Sequence, residues 1–150
     1  MFPFDRLIRA MDELKQAGLL DDEVLAQIGD GQYEPTGFPF LRMMEKQAFE
    51  EQLARCELVI SHAGIGTIAT ALRFYKPMVA LPRRAALAEH VNDHQVGTGH
   101  RYAELGHLIL ADQVDQLPSA IATARAFKPL PRVPHATGIA DRIGAFLRSI

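Results

Sequence analysis

The chain has a single cysteine, Cys56, among its 150 residues and therefore no second thiol with which to form a disulfide. This cysteine usage suits a protein that works in a reducing compartment such as the cytoplasm. A domain of this length buries roughly 70% of the surface that its unfolded chain exposes, so it needs no disulfide for stability. Apolar residues make up 48% of the chain and charged residues 23%. We therefore predict one globular domain over residues 1–150.

The chain also lacks a long apolar run and a strong charge of either sign. No run approaches the ~20 residues that a helix needs to cross a bilayer, and the N-terminus lacks the basic-then-apolar order of a signal peptide. The 16 Lys and Arg residues against 18 Asp and Glu leave a formal net charge of −2. This balance does not favour a nucleic-acid partner. If the protein works at a membrane, another molecule must hold it there.

Short apolar runs alternate with segments of helical periodicity along the chain. Five runs have the length and residue types of buried strands: residues 26–29, 38–43, 58–61, 78–81 and 108–110. Helical spacing is found from Phe4, around Phe49, from Ile68, from near His90 to Gly106, and from Asp112 or Val114. The alternation predicts an α/β fold with a doubly wound, mainly parallel sheet. A proline-rich connector over residues 128–138 and a helix over residues 139–148 follow.

The loop after the clearest strand is rich in glycine and small residues: Ser61, His62, Ala63, Gly64, Ile65, Gly66 and Thr67. Glycine lets backbone amides approach a ligand without an intervening Cβ, and the following helix offers unpaired N–H groups at its N-terminus. The pattern favours a diphosphate-binding turn, to which Thr67 adds a hydroxyl donor. A plain tight turn between strand and helix is the alternative. The lysine of a P-loop is absent.

A second polar segment follows the next strand. It contains Arg83 and Arg84, either of which could offset diphosphate charge, and then residues 89–95. Polar groups at the carboxyl end of a parallel strand suit recognition of sugar hydroxyls. A solvated loop is the alternative. His90 and His94 also have helical spacing for a metal, but without the zincin glutamate we predict no metal, and we assign no role to the other histidines.

These two loops together resemble the C-terminal, donor-binding domain of glycosyltransferase family 28. Residues 58–67 read LVISHAGIGT and are similar to the family signature V-I-S-H-A-G-x-G-[ST]. Residues 76–83, followed by 89–95, are similar to its G-K-P-x-x-x-x-P-R and E-H-x-x-D-H-Q blocks. Residues 2–7 and 27–35 match as well. The resemblance covers most of the chain up to about Ile121.

Within the family, the chain is similar to the small stand-alone subunits of bacterial exopolysaccharide and capsule synthesis, and to the donor-binding subunit of the dolichol-linked GlcNAc transferase. The resemblance implies the Rossmann-like C-terminal half of a GT-B fold that is split over two chains. This chain would bind a UDP-sugar, while a membrane-anchored partner subunit would bind the lipid-linked saccharide and supply the catalytic base. The implied reaction is a metal-independent, inverting transfer of a hexose, hexuronic acid or HexNAc. The chain would be cytoplasmic and peripheral at the inner face of the membrane.

The resemblance also assigns residues to parts of the donor. The nucleotide diphosphate would be bound by Ser61, His62, Ala63, Gly64, Ile65, Gly66, Thr67 and Arg83. The donor sugar would be faced by Glu89, His90, Asp93, His94 and Gln95, and uracil, on a looser match, by Met43, Met44 and Glu45. No catalytic residue is assigned within this chain. Two positions depart from the family pattern: Thr70 replaces a glutamate that holds the ribose in many relatives, and Tyr75 replaces a frequent glycine.

A third departure concerns the start of the chain. The family usually begins with an apolar strand ending in Gly-Thr just before the segment that residues 2–6 match, and this chain starts at that segment. An interior strand missing from a parallel sheet leaves both neighbours with unpaired backbone groups, each costing about 1–3 kcal/mol when buried. We hypothesise a misassigned start codon, a truncated sequence or a partner that fills the gap.

Two further function classes are compatible with these patterns. One is a non-catalytic UDP-binding or scaffolding module, which the missing strand and the missing ribose glutamate would favour. The other is a flavodoxin-like redox or nucleotide-binding domain, which has the same predicted fold. The latter requires a dinucleotide fingerprint and an acidic ribose-binding residue, and neither is evident in the sequence.

Overall fold

The computed structural model describes residues 2–131. Its helices are α1 (Asp5–Gln16), α2 (Lys46–Arg55), α3 (Ile65–Arg73), α4 (His94–Glu104) and α5 (Leu117–Ala124). Its strands are β1 (Ala26–Gln27), β2 (Phe40–Leu41), β3 (Val59–Ser61), β4 (Met78–Ala80) and β5 (Ile109–Leu110). The predicted helix over residues 139–148 and most of the proline-rich connector lie outside the described residues.

The strands form two parallel sheets. β1 pairs with β2, with Ala26 opposite Phe40. β4 lies between β3 and β5, and both pairings are parallel. Parallel neighbours require crossover connections. Helices lie in the connections from β3 to β4 and from β4 to β5, whereas a loop joins β1 to β2. The predicted α/β fold with parallel pairing is therefore confirmed.

Two helical layers cover the three-stranded sheet. The side chains of β4 and the residue after it alternate between them. Val79 and Leu81 pack into a core with α1 and α5, whereas Met78 and Ala80 pack into a second core with α2 and α3. All four residues are at most 1% exposed. The predicted doubly wound arrangement is thus present around β4.

β1 and β3 each have a hydrogen-bonded neighbour on one side only within residues 2–131. Val59 donates its amide to the Pro77 carbonyl, and the alternation of a parallel ladder then turns the amide of Ile60 away from β4. Ala26 and Ile28 likewise donate towards the β2 side. The two sheets are therefore not joined to each other by strand pairing, as expected if these residues do not supply an interior strand.

A buried carboxylate fastens α1 to the loop between β1 and β2. Asp12 is 0% exposed and accepts hydrogen bonds from the hydroxyl of Tyr33 at 2.6 Å and the amides of Gly37 and Thr36 at 2.7 and 3.1 Å. Gln16 donates a fourth bond at 3.0 Å. Burial alone would raise the pKa of Asp12, but these donors outweigh it and hold the pKa below its usual range.

Several predicted element boundaries differ from the structure. The strand predicted over residues 26–29 is limited to Ala26–Gln27, and the helix predicted from Asp112 or Val114 begins at Leu117 after a 3-10 turn. The strand predicted over residues 38–43 is limited to Phe40–Leu41, because Phe38 turns into the core and Arg42 donates to the Gly31 carbonyl at 3.0 Å. The helix predicted from near His90 begins at His94. The residues before it form a loop that is cross-linked by its own side chains. No helix among residues 2–131 is long and apolar enough to span a membrane.

Candidate functional site

The glycine-rich loop joins β3 to the N-terminus of α3. Gly64 is the N-cap, in an extended conformation, and no side chain caps the helix. Because the first amides of a helix have no intrahelical acceptor, those of Ile65, Gly66 and Thr67 are left free, and no acceptor for them is found within residues 2–131. The Ile65 side chain is 60% exposed. The turn therefore presents three amide donors and a positive dipole end to solvent.

His62 lies inside this turn. Its ring packs edge-on against Phe4, with centroids 6.5 Å apart. Its Nδ1 is buried and has no hydrogen-bond partner among the described residues. Burial, followed by the charges of Arg83 and His90, lowers the pKa of His62 to about 4. The imidazole is therefore neutral at pH 7.

Arg83 brings a buried positive charge to the same place. The residue is 9% exposed, and its guanidinium carbon lies 5.2 Å from the centre of the Phe4 ring. Its Nε has no acceptor among the described residues. Burial lowers the pKa of Arg83, and the nearby carboxylate of Glu89 opposes that effect. A guanidinium with an unused buried donor is a strong site for an anion.

Arg84 points elsewhere. Its Nη2 donates to the backbone carbonyl of Asp112, beyond the end of β5, at 3.1 Å. The Asp112 carboxylate also lies 3.2 Å from Nε2 of His100. The two neighbouring arginines therefore differ in role: Arg83 faces the ring that His62 contacts, and Arg84 braces the adjacent strand end.

Glu89 is buried and engaged within the chain. Both of its carboxylate oxygens accept from the guanidinium of Arg6, at 2.7 and 2.8 Å, and Oε2 also accepts from the amide of Arg84 at 3.0 Å. The residue is 7% exposed. Its two carboxylate oxygens therefore already accept three hydrogen bonds within the chain. The contact between this side chain and the donor sugar stays a prediction.

Asp93 and Gln95 hold the same loop from the start of α4. Asp93 accepts from the amide of Ala85 at 2.8 Å, and Gln95 accepts from the amide of Arg83 at 3.3 Å. Both side chains therefore order the loop, and their contact with a donor sugar stays a prediction.

The two histidines of the 89–95 block lie in different environments. His90 precedes α4, accepts from the amide of Asn92 at 3.4 Å and packs against Phe2, with ring centroids 5.4 Å apart. His94 begins α4 and is exposed. They therefore do not lie together on one face of a helix. Within residues 2–131 no three His, Cys, Asp or Glu side chains are grouped as metal ligands.

The residues predicted for uracil belong to the other sheet, whereas Thr70, which replaces the family's ribose glutamate, lies within α3. Met43, Met44 and Glu45 follow β2 of the other sheet, where Met43 is 60% exposed and Met44 donates its amide to Gln27. Glu45 is the N-cap of α2. The hydroxyl of Thr70, at the ribose position, donates to the Gly66 carbonyl within α3 at 2.9 Å.

Two residues at the site, Phe4 and Arg6, had no role in the sequence-based prediction. Phe4 is 7% exposed and contacts the ring of His62 and the guanidinium of Arg83. Arg6 holds Glu89 from the first turn of α1. In the sequence, the only indication of a role for these two residues is that residues 2–7 are similar to the family pattern. That similarity does not show which side chains they contact.

Two shallow surface depressions, of about 150 and 240 Å³, lie away from these loops. The first is lined by Leu14, Leu20 and Ile121 among others, and the second lies between β5 and α5. Neither is lined by a residue of the glycine loop or of the 82–95 segment. The candidate site is instead the face of the domain at the carboxyl ends of β3 and β4.

Comparisons with known proteins agree with this geometry. The UDP-N-acetylglucosamine transferase subunit ALG13 of Eremothecium gossypii is 39% identical over 102 residues, which cover 65% of this chain and 46% of that protein. Thus the chain spans less than half the length of that relative.

Two solved structures share the fold. The glycotransferase of kitacinnamycin superposes with a TM-score of 0.63 at 20% identity, covering 99% of this chain and 36% of that one. Spinosyn forosaminyltransferase SpnP gives 0.57 at 21% identity, covering 81% and 29%. The fold is that of the Rossmann-like C-terminal half of GT-B glycosyltransferases. Residues 3–135 match the profile described as the Glycosyltransferase family 28 C-terminal domain, and the chain belongs to that family.

Proposed function

We propose that this chain is the UDP-sugar-binding subunit of a two-component glycosyltransferase. The observation that carries the proposal is the pairing of an uncapped helix N-terminus with a buried arginine. The free amides of α3 follow the loop that contains the neutral His62. The ring of His62 and the guanidinium of Arg83, whose Nε is unused, both lie against Phe4. Donors of this kind match a diphosphate, which is the part common to all UDP-sugars.

The same donors account for the chemistry that this half of the enzyme would contribute. Sugar transfer leaves a UDP diphosphate with growing negative charge on its leaving oxygen. Amides fixed by α3 and a guanidinium fixed on Phe4 are already oriented, so they stabilise this charge without reorganising. On this proposal Asp93, His94 and Gln95 face the sugar, residues 61–67 bind the diphosphate, and Met43 to Glu45 contact uracil. No metal takes part.

A partner chain is the second part of the proposal. The site lies at the carboxyl ends of β3 and β4, and neither His62 nor Glu89 is free there to deprotonate an acceptor hydroxyl. The neutral His62 is buried against Phe4, and the Glu89 carboxylate is bound by Arg6. We propose that a membrane-anchored subunit closes the face, binds a lipid-linked saccharide and supplies the base. The chain would then sit peripherally at the cytoplasmic face of the membrane, in exopolysaccharide synthesis.

The first test is calorimetric titration with UDP. We expect the wild-type chain to bind UDP in the micromolar to millimolar range, and Arg83→Met to weaken binding by about tenfold or more, because a charged hydrogen bond contributes about 1.5–3 kcal/mol. Arg84→Met is the matched control: it removes the same group one residue later, where the guanidinium faces Asp112, and should leave the affinity for UDP unchanged. Absence of UDP binding at millimolar concentration would refute the proposal.

The second test is transfer itself. The isolated chain should transfer no sugar from UDP-GlcNAc, UDP-glucose, UDP-galactose or UDP-glucuronic acid, and a co-expressed partner subunit should restore transfer with one of them. Full activity of the isolated chain would contradict the two-component proposal. UDP binding without transfer in the presence of the partner would instead favour the non-catalytic module.

A further inference from the structure

The ion pair of Arg6 and Glu89 forms hydrogen bonds with the backbone on both sides of Arg83. Arg6 donates Nη2 to the carbonyl of Pro82, the residue before Arg83, at 2.8 Å. Glu89 accepts the amide of Arg84, the residue after it, at 3.0 Å. The two outer residues are joined by two hydrogen bonds of 2.7 and 2.8 Å. The peptide units around Arg83 are thus fixed by one bidentate pair.

The pair is also protected from solvent. The side chains of Arg6 and Glu89 are 19% and 8% exposed. A bidentate arginine–carboxylate pair with this burial keeps a defined geometry, whereas exposed pairs are mobile and screened. The backbone on either side of Arg83 is therefore held in a fixed position relative to α1.

Both arginine side chains also contact one aromatic ring. The guanidinium carbons of Arg6 and Arg83 lie 5.4 and 5.2 Å from the centre of the Phe4 ring. Glu89 pairs directly with Arg6, whereas the Nε of Arg83, like that of Arg84, has no hydrogen-bond partner among the described residues. The charge of Arg6 is thus paired with Glu89, whereas the guanidinium of Arg83 keeps a donor that an anion could use.

We infer that Arg6 and Glu89 are positioning residues that set the Arg83 guanidinium for the diphosphate of the donor. This inference rests on the proposed function. It gives Glu89 a role in ordering the loop instead of a contact with the sugar. It also makes the N-terminal segment part of the donor site, although that segment lies more than 70 residues away along the chain.

The test compares ligands with and without the diphosphate. Arg6→Met should weaken UDP binding by about tenfold, equivalent to about 1.4 kcal/mol. The same variant should bind uridine as the wild type does, as measured by NMR chemical-shift titration. A purely structural defect would weaken both ligands alike. Arg125→Met is the matched control, because Arg125 forms a bidentate pair with Asp22, at 2.8 and 2.6 Å, that is exposed and distant from the site. It should leave both affinities unchanged.

A double-mutant cycle with Arg83 completes the test. If Arg6 acts through Arg83, then Arg6→Met should cost no further affinity for UDP once Arg83→Met is present. Additive losses in the cycle, or equal losses for UDP and uridine, would overturn the inference. Should Arg6→Met fail to fold, Arg6→Lys keeps the charge but not the planar fork, and a loss confined to UDP is again expected.

The failure of the inference differs from the failure of the proposed function. Wild-type protein that binds UDP, combined with an Arg6→Met variant of unchanged UDP affinity, overturns the positioning role alone. Wild-type protein that does not bind UDP removes the proposed function, and the inference falls with it.

Discussion

The ring of His62 occupies the space where a side chain on Gly64 would begin. A Cβ atom placed on Gly64 would lie 2.1 Å from Cε1 and 2.6 Å from Nδ1 of His62, much closer than van der Waals contact. The φ angle of Gly64 is −82°, which any residue can adopt. This glycine is therefore required for the close approach of an imidazole from its own loop, not for its backbone conformation.

A side chain at position 64 should displace the His62 ring and thereby disturb the loop, with or without a bound ligand. We expect Gly64→Ala to displace the His62 ring from Phe4, to destabilise the protein by about 1–3 kcal/mol, in the range of overpacked sites, and to weaken UDP binding. Gly97→Ala is the matched control, because a Cβ there meets no atom within 4 Å. Urea denaturation and UDP titration of both variants check this. A Gly64→Ala variant as stable as Gly97→Ala would contradict the packing argument.

Stability should fall as the pH drops through the range in which His62 titrates. The pKa of His62 is lowered from 6.5 to about 4 in the folded protein, so between these values the unfolded chain binds the proton more readily. Stability is therefore fully present above pH 6.5 and is lost towards pH 4, by up to about 3 kcal/mol. His62→Asn should flatten this part of the curve of unfolding free energy against pH.

Asp12 should lower the free energy of unfolding only at a more acidic pH than His62 does, so the contributions of the two residues can be separated. The pKa of Asp12 is below its usual value, so its contribution is present above about pH 4 and is lost only on further acidification. The His62→Asn variant should keep this acid limb unchanged. A curve that keeps its slope between pH 6.5 and 4 in the variant would assign the transition to another group.

The Asp12 carboxylate should matter more than any of its single partners. Asp12→Ala removes the buried acceptor shared by Tyr33, Thr36 and Gly37, and we expect a loss of about 3–5 kcal/mol because three hydrogen bonds to a charged group are lost together. Tyr33→Phe removes only one of these bonds and should cost about 1–3 kcal/mol. Chemical denaturation measures both. Equal losses for the two variants would show that the hydroxyl of Tyr33 is the main contact.

The free edge of β3 should be visible in amide exchange. The amide of Ile60 points away from β4, whereas those of Val59 and Leu81 donate across this pair of strands. In the isolated chain we expect Ile60 to exchange faster than both, because it has no backbone acceptor within the described residues. Hydrogen exchange followed by NMR checks this. Slow exchange at Ile60 would indicate that another segment covers this edge.

Much of the fold was predictable from the sequence because its signals are local. The apolar runs at 58–61 and 78–81 gave β3 and β4 nearly to the residue, and the spacing after Ile68 gave α3. The start of α4 was predicted about four residues early, near His90 instead of His94. Side chains before His94 bond to their own loop, and periodicity does not detect such contacts.

The amino-acid sequence by itself determined the strand–helix alternation, the glycine turn after Ser61 and the family to which the chain belongs. Only the tertiary structure decided that Arg83 rather than Arg84 faces the turn, and that Glu89 is bound by Arg6. The physical reason is distance along the chain. Spacing specifies which residues share a strand or helix, but the direction of a guanidinium depends on partners such as Phe4 that reach it only when the chain has folded.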